Sequence, residues 1–511
     1  MEYSARINDK SAFKGIFFGA AWGILSKIIA GIANFITVPF LIAFYGKANY
    51  GLIALSFSLN AYLRLMELGV GTGAVRFFSL WFTNKDKIKV QKVSQSSIIF
   101  YGVLGIINAV VFLLIANFSD YIFEFTNNQN QIFKLMMYIL SATSIINWTS
   151  NVITQLLTAT REISWLNKVS FITSILNIAV AYLAVTFNFP LTLYFLLYII
   201  STIILIPINI LRLKVTNIPI SELLRPNWHP QVFKEVFKYS ISIFAMGIFQ
   251  FSADYLRPII LGSLSSNGPG VLTEFRILQT FGMLITMIGG GFINIILPYS
   301  TKAFATNDKF NLNLLMFQGT KYISILLSFL IFILVCNSKL LLILYVGNEY
   351  SHLSLYLNIW LITLLYLHNA PVSSMILATG KTKFLVWLAA FSSIICLSIT
   401  AFFASQYNVG AAVIGYLIYI IVHLLGDYFY NIPKVLKLNS LRIFSSVFPS
   451  VIVGSTTCLI VYYTNNLWQN LPVLSQIVIN SVIFICIYIL LSLSFVIKKD
   501  ELQQLFFKIK G

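Results

Sequence analysis

The chain has 511 residues, of which 58% are hydrophobic and 10% charged, with a net charge of +18 and a mean hydropathy of +0.85. Soluble domains carry about 25% charged residues, so this chain cannot cover a water-facing surface and is predicted to have lipid as its solvent. Nucleic-acid binding is excluded despite the charge, because the basic residues lie in short loops between apolar runs. The length of those runs also excludes a membrane β-barrel, whose strands alternate over about ten residues.

The first apolar run is about 29 residues long and ends without a small-residue cleavage pattern, so we expect it to be a retained helix rather than a cleavable signal. The sequence has no Cys/His cluster with metal-ligand spacing and no soluble domain large enough to bind ATP, so we expect no metal and no other cofactor. The four cysteines lie inside apolar runs and are interpreted as small packing residues. They are Cys336, Cys396, Cys458 and Cys486.

A helix needs about 20 mainly apolar residues to cross the hydrocarbon core of a bilayer. Fourteen segments meet this requirement, which predicts an all-α membrane protein. They begin near Ile16, Gly51, Val93, Gln131, Val169, Leu191, Val236, Val271, Gly319, Leu353, Leu385, Gly410, Phe444 and Ser475. The second run, Gly51–Trp81, is longer than a span needs, so we expect that helix to tilt or to project from the membrane.

The loops predict the orientation, because basic residues concentrate on the cytoplasmic side of a membrane. With a cytoplasmic N-terminus, 24 of the 34 basic residues fall on the inner side, and Lys47 alone falls in an outer loop. This bias predicts that both termini are cytoplasmic and that the protein lies in the cytoplasmic (inner) membrane.

Weak internal symmetry relates the two halves of the chain. Offsets of 219 or 220 residues align Pro39 with Pro258, Ala159–Thr160 with Ala378–Thr379, and Gly69 and Gly71 with Gly289 and Gly291. Internal repeats of this kind are typical of transporters. We therefore predict two parallel six-helix bundles, residues 1–211 and 236–432, joined by a cytoplasmic linker at 212–235 and followed by two extra helices in 433–511.

Polar side chains recur at helical spacing inside the apolar segments, although a charge at the bilayer centre costs about 2.5–3.5 kcal/mol. Residues three or four apart share one side of a helix, which predicts a cavity between the halves lined with basic groups. The basic candidates for binding a ligand's negative charge are Lys27, Arg64, Arg257 and Arg276. The neutral cavity-lining candidates are Asn34, Asn60, Gln250 and Thr280, together with Asn147 and Asn151, which either bind sugar hydroxyls or bond to other helices.

Two of these cations have a carboxylate three residues away. Arg64 precedes Glu67, and Asp254 precedes Arg257, so each pair either neutralises itself against a neighbouring helix or leaves its carboxylate for ion coupling. Lys27 has no such partner, which favours it for ligand binding.

Two further residues offer titratable groups near the cytoplasmic end of the twelfth segment. His423 and Asp427 are four residues apart, which is compatible with either a proton relay or a structural polar pair.

Arg276 has Glu274 two residues away, off its own helix side, so Arg276 is favoured with Lys27 for binding negative charge.

Several short motifs carry a family resemblance. They are Asn34-x4-Pro39-Phe40-Leu41, Tyr45-Gly46, Tyr50-Gly51, Leu68-Gly69-Val70-Gly71, Ala74 and Arg76 near the start, and Ala378-Thr379-Gly380-Lys381 after the tenth segment. They resemble the Wzx-type polysaccharide repeat-unit flippases of the multidrug/oligosaccharidyl-lipid/polysaccharide (MOP) exporter superfamily, which also includes MATE transporters. The resemblance in topology covers nearly the whole chain.

The resemblance implies two bundles that open alternately to either side and move undecaprenyl-diphosphate-linked oligosaccharide to the outer leaflet for O-antigen, a part of lipopolysaccharide, or for capsule. The cationic residues would then bind the diphosphate. Membrane lipids, a polysaccharide polymerase and a chain-length regulator are the implied partners. Two alternatives are a lipid II flippase, which also has basic residues in helices one, two and eight, and a MATE-type drug/cation antiporter. A membrane glycosyltransferase or polymerase is disfavoured by the short outer loops, so we expect a transporter and not an enzyme.

Overall fold

The structure, a computed structural model, describes residue 31 and residues 35–283, 285–286, 309–379 and 383–497. These described residues form helices and connecting turns, without a β-strand. Nine helical stretches among them are long and apolar enough to cross a membrane. The predicted all-α, multi-pass membrane fold is therefore confirmed, whereas the count of fourteen spans stays a prediction.

The chain divides into two compact units, Met1–Thr273 and Glu274–Gly511. The described helices of the first unit are α1 (Phe35–Tyr45), α2 (Lys47–Leu63), α3 (Val70–Thr83), α4 (Lys87–Ile122), α5 (Asn127–Ala159), α6 (Ile163–Thr186), α7 (Leu191–Ile203), α8 (Ile206–Arg212), α9 (Ile220–Leu224) and α10 (Pro230–Leu264). The bundle and linker boundaries expected from sequence stay predictions.

Local sequence signals explain where the long helices of the first unit begin. Asp86 caps α4 by accepting a hydrogen bond from the backbone N–H of Lys89 at 3.0 Å. Thr126 and Gln129 form a reciprocal capping box at the start of α5. Pro230 opens α10, where its missing N–H costs nothing.

The core of the first unit is an apolar cluster that joins α3, α4, α5 and the start of α10. Its largest buried members are Phe78, Trp81, Tyr101 and Trp148. The segment between α7 and α10 packs on α4 next to this cluster. There the side-chain amide of Gln91 donates to Glu222 Oε2 at 2.6 Å, and that of Gln95 donates to the carbonyl of Glu222 at 2.8 Å.

The expected single long helix at Gly51–Trp81 is wrong, because the chain forms two helices there. α2 tightens into a 3-10 turn at Arg64–Glu67, and α3 begins at Val70. Leu68 and Gly69 lie between them with φ of 52° and 71°, in the left-handed region that glycine adopts without a steric penalty. The excess length of the run is thus absorbed by a break in the helix.

The second unit continues with α11 (residues 270–283, which begin in the first unit), α12 (Lys309–Cys336), α13 (Ser338–Val346), α14 (Ser354–Thr363), α15 (Ala370–Thr379), α16 (Lys383–Tyr407), α17 (Val409–Gly426), α18 (Ser440–Thr464) and α19 (Val473–Leu491). A 3-10 turn, Leu364–Asn369, separates α14 from α15, directly before Pro371. A π-helical stretch, Asp427–Val435, follows α17.

Two apolar clusters hold α18 and α19 to the rest of the second unit. One joins Met316 of α12 to Ile443 of α18. The other joins Phe332 of α12 to Phe484 and Tyr488 of α19. The hydroxyl of Tyr488 also donates to the carbonyl of Ile325 at 2.7 Å, so these last two helices are integral to this unit.

Candidate functional site

Arg64 lies in the 3-10 turn at the end of α2, where the helix is about to break. Its side chain is exposed, and it makes no ion pair with any described residue. Starting from Lys47, which is predicted to lie outside, Arg64 is about 25 Å along the helix axis at 1.5 Å per residue, so the predicted orientation puts it toward the inner side of a core about 30 Å thick. A guanidinium without a carboxylate partner is able to bind an anion bidentately.

Glu67 is bonded to residues other than Arg64. Tyr101 of α4 donates its hydroxyl to Glu67 Oε1 at 2.6 Å, and the side-chain amide of Gln155 of α5 donates to that hydroxyl at 2.6 Å. Tyr101 and Gln155 are buried, and Trp148 stacks on the Tyr101 ring at 6.1 Å. Gly71 leaves room for the Glu67 carboxylate, because a Cβ at this position would clash with Glu67 Oε1. The carboxylate therefore joins three helices through neutral donors.

Ser56, Asn60, Arg64, Glu67 and Gly71 are spaced 4-4-3-4, which predicts a polar stripe along one side of a continuous helix. In the structure this stripe ends at Glu67. Beyond it, the left-handed residues Leu68 and Gly69 change the direction of the chain, so Gly71 no longer continues the helical spacing of α2. Ser56 and Asn60 lie on α2 and Arg64 begins the 3-10 turn that follows it, and the break beyond them is set by backbone conformation.

Four neutral candidates of the first unit have free amide groups. Asn60, Asn147 and Asn151 are half-buried and Gln250 is exposed, and their side chains make no hydrogen bond to a described residue. Asn147 and Asn151 are four residues apart on α5 and so lie on one side of it. These amides are available to a polar ligand, in contrast to the amide of Gln155, which is engaged with Tyr101.

Asp254 and Arg257 form an ion pair within α10. Arg257 Nη2 lies 3.2 Å from Asp254 Oδ1, and Arg257 Nε donates to the carbonyl of Ala253 at 2.6 Å. The Arg257 side chain is 3% exposed and that of Asp254 is 41% exposed. Because Arg257 is buried and engaged, it is a weaker anion-binding candidate than Arg64.

In the second unit, Arg276 is half-buried and donates through Nη1 to Gln279 Oε1 at 2.8 Å. It makes no ion pair with a described residue, since Glu274 lies instead 3.5 Å from His352 Nε2. The buried hydroxyl of Thr280 donates to the carbonyl of Arg276 on its own helix at 2.8 Å, so as a cavity-lining group it can only accept. Arg276 keeps donors to spare for an anion.

Asp427 is the centre of a buried polar cluster between the 3-10 turn that precedes α15 and the π-helical stretch that follows α17. The side-chain amides of Asn369 and Asn431 donate to Asp427 Oδ2 and Oδ1 at 2.9 and 2.8 Å. Asp427 is 1% exposed and has no basic partner among the described residues. An isolated buried charge is costly, and the two amides offset part of that cost by donating to both carboxylate oxygens.

His423 lies one turn before Asp427 without bonding to it. Its ring packs against those of Tyr419 and Tyr366, with centroid distances of 4.6 and 5.9 Å. The side chain is 5% exposed, and neither ring nitrogen has a hydrogen-bond partner among the described residues. Tyr366 links the two residues in space, because its hydroxyl also lies 3.4 Å from Asp427 Oδ2.

The remaining predicted residues, Lys27 and Asn34, lie outside the described residues, and so do the repeat positions Gly289 and Gly291. The polar residues that sequence reasoning missed are Tyr101, Gln155, Asn369 and Asn431. Tyr101, Asn369 and Asn431 each donate to a predicted carboxylate, and Gln155 donates to the hydroxyl of Tyr101. Only the pairing of Asn431 with Asp427, at a separation of four residues, was visible as a sequence signal.

Several solved structures share this fold. The lipid II flippase MurJ, in an inward closed conformation, aligns with a TM-score of 0.70 at 15% identity, over 93% of this chain and 98% of that one. An inward-facing MATE-family multidrug resistance transporter of the MOP superfamily aligns with a TM-score of 0.61 at 13% identity, over 84% and 95%. The MATE multidrug transporter DinF-BH, in complex with R6G, gives 0.59 at 16% identity, over 83% and 97%.

No protein-family model and no curated relative matches the chain. The solved structures show that the chain has the fold of MurJ and of the MATE transporters, as the opening motifs implied. At these low identities the similarity is limited to the fold.

Proposed function

We propose that this protein is a flippase that carries undecaprenyl-diphosphate-linked oligosaccharide from the inner to the outer leaflet of the cytoplasmic membrane, for synthesis of O-antigen or capsule. The two units would open alternately to either side, as transporters built from repeats do. Lys27, Arg64 and Arg276 would bind the diphosphate. The free amides of Asn60, Asn147 and Asn151 would contact sugars.

The observation that carries this proposal is the state of Arg64. It is an exposed guanidinium in the turn at the end of α2, inside the second span predicted from sequence, and its nearest sequence carboxylate, Glu67, is bonded to Tyr101 instead. A charged hydrogen bond contributes about 1.5–3 kcal/mol, and the low dielectric of the membrane strengthens the attraction to a diphosphate. A drug exporter that selects cations would need the opposite charge at this point.

Asp427 supports a coupling role in the same cycle. Its buried carboxylate is held by neutral amides and is suited to exchange a proton or a small cation with the cytoplasm. Glu67, Asp254 and His423 are the other coupling candidates. Asp254 already has the cation Arg257 in place and Glu67 is only half-buried, whereas Asp427 is fully buried without a basic partner among the described residues. We therefore assign the coupling role to Asp427, next to His423 in space.

Lipid II is the second candidate substrate, and one observation favours it. The match to the lipid II flippase MurJ extends over 93% of this chain. Lipid II also carries a polyprenyl diphosphate, so both substrates require the same cationic groups and differ in the sugar and peptide part.

Two complementation tests separate the candidates. The chain is expressed in a strain that lacks its repeat-unit flippase and in a strain depleted of its lipid II flippase. We expect surface polysaccharide to return in the first strain, while the second continues to lyse. Rescue of growth in the second strain alone would make the protein a lipid II flippase.

Arg64→Ala tests the residue that carries the proposal. We expect surface polysaccharide to fall about tenfold or more, which corresponds to the loss of about 1.4 kcal/mol, and Arg64→Lys to retain more activity than Arg64→Ala. The matched control is Arg225→Ala, which removes an exposed arginine without an ion pair among the described residues, in the segment after α9. Equal export by Arg64→Ala and Arg225→Ala, at equal membrane levels, would remove Arg64 from the substrate site.

A further inference from the structure

Two cysteines that are distant in sequence meet in the second unit. Cys336 is the last residue of α12, and Cys458 lies near the end of α18. Both side chains are partly buried and pack against the same apolar cluster of α12, α18 and α19. The other two cysteines differ from them, since Cys396 is buried and Cys486 is exposed.

The packing of the two helices explains this meeting. Gly454 of α18 faces Phe332 of α12 so closely that an added Cβ would clash with the Phe332 ring. A small residue lets two helices approach in this way. Phe332 and Gly454 each precede their cysteine by four residues, which is about one helical turn. Cys336 and Cys458 therefore face each other only if α12 and α18 run in the same direction.

A polar cluster shows that α12 and α18 run in the same direction. Asn337 directly follows α12 and Asn465 directly follows α18, and the amide nitrogen of Asn480 donates to Asn337 Oδ1 at 3.1 Å and to Asn465 Oδ1 at 3.0 Å. The C-terminal ends of α12 and α18 therefore lie together. Trp468 donates its indole N–H to Asn480 Oδ1 at 2.9 Å, as expected at a polar helix end.

We propose that Cys336 and Cys458 are a redox pair that closes into an intramolecular disulfide and joins the ends of α12 and α18 covalently. A disulfide needs facing residues with Cα atoms about 4.4–6.8 Å apart, and the glycine crossing at Gly454 brings α12 and α18 close enough one turn earlier for this pairing. The pairing rests on helix contacts alone. Its formation in the cell rests also on the predicted orientation, which puts this end on the outer, oxidising side.

The chemistry is thiol–disulfide exchange with a small disulfide such as oxidised glutathione. The thiolate of one cysteine attacks a sulfur of that disulfide, forms a mixed disulfide and releases one small thiolate. The second protein thiolate then attacks the protein sulfur of the mixed disulfide and releases the other small thiolate. Two electrons pass from the protein to the oxidant, and the two protons lost by the cysteines end on two molecules of small thiol.

The test uses the full-length protein in broken membranes treated with oxidised glutathione, then alkylated, digested and analysed by mass spectrometry without reductant. We expect a linked peptide that contains Cys336 and Cys458, with the loss of two of the four alkylatable thiols. Cys486→Ser should give the same linked peptide. Cys458→Ser should abolish it and leave Cys336 either free or as a glutathione adduct.

The proposal is wrong if Cys336 and Cys458 remain separately alkylatable, or if their only linkage joins two chains on a non-reducing gel. A second sample, alkylated during lysis of untreated cells, tests formation in the cell. The linked peptide is expected there too, and its absence from that sample would overturn the claim that this end meets an oxidising environment.

Discussion

Tyr101→Phe is the sharpest test of how the first unit is held together. The substitution removes one oxygen and keeps the ring, so the stack on Trp148 is retained. The lost hydroxyl both donates to Glu67 and accepts from Gln155, each at 2.6 Å. Three helices therefore lose their shared polar contact at once.

The expected cost follows from the charge of the acceptor. Neutral hydrogen bonds between membrane helices contribute about 0.6 kcal/mol on average, whereas bonds to charged groups contribute about 1.5–3 kcal/mol. The bond to Glu67 belongs to the second class, and the buried amide of Gln155 is left without its acceptor. We therefore expect Tyr101→Phe to lower the free energy of unfolding by about 1.5–3 kcal/mol.

The measurement is reversible unfolding in mixed micelles. The shift in the unfolding midpoint is compared with that of a matched control variant. Tyr121→Phe on the same helix is that control, because Tyr121 is 87% exposed and its hydroxyl has no partner among the described residues. Tyr121→Phe should change the free energy of unfolding by no more than about 0.5 kcal/mol. If the two variants unfold alike, the hydroxyl of Tyr101 does not hold the unit together.

Three other predictions concern packing, coupling and topology. Gly454→Ala should lower the free energy of unfolding by about 1–3 kcal/mol through overpacking. Gly102→Ala, with nothing within 4 Å of the added Cβ, should be neutral or stabilising. Equal unfolding midpoints for the two variants would refute the close contact between α12 and α18. Asp427→Asn should abolish the response of flipping to an imposed proton or sodium gradient, and a retained response would assign coupling elsewhere. A cysteine placed at Asn188 should react with an impermeant label from outside, and one placed at Lys87 only after permeabilisation; outside labelling at Lys87 would overturn the topology.

The fold class was predictable from sequence because lipid imposes long apolar helices on any chain that spans it. The same rule failed at Leu68 and Gly69. A hydropathy run carries no information on φ, and two residues with positive φ are enough to divide one apolar run into two helices. The pair of glycines, Gly69 and Gly71, was the available signal for that break.

The polar residues proposed for the site could be named from the sequence, but their pairings could not. Spacing along a helix left open whether Arg64 and Glu67 neutralise each other, and it gave no sign that Tyr101 bonds Glu67 from another helix. The cysteines show the same limit, since Cys336 and Cys458 were interpreted as packing residues and their contact depends on how α12 meets α18. Contacts between helices follow from tertiary packing, which a single sequence does not display.

The most direct measurement of the proposed function is flipping in proteoliposomes. Purified protein is reconstituted with undecaprenyl-diphosphate-linked oligosaccharide present in one leaflet, and the sugar that becomes accessible to an impermeant lectin on the other side is followed over time. We expect rapid appearance of the sugar with the native chain, slow appearance with Arg64→Ala, and none above background in protein-free liposomes. A native chain that transfers the sugar no faster than protein-free liposomes would contradict the proposal that this protein is a flippase for lipid-linked oligosaccharides.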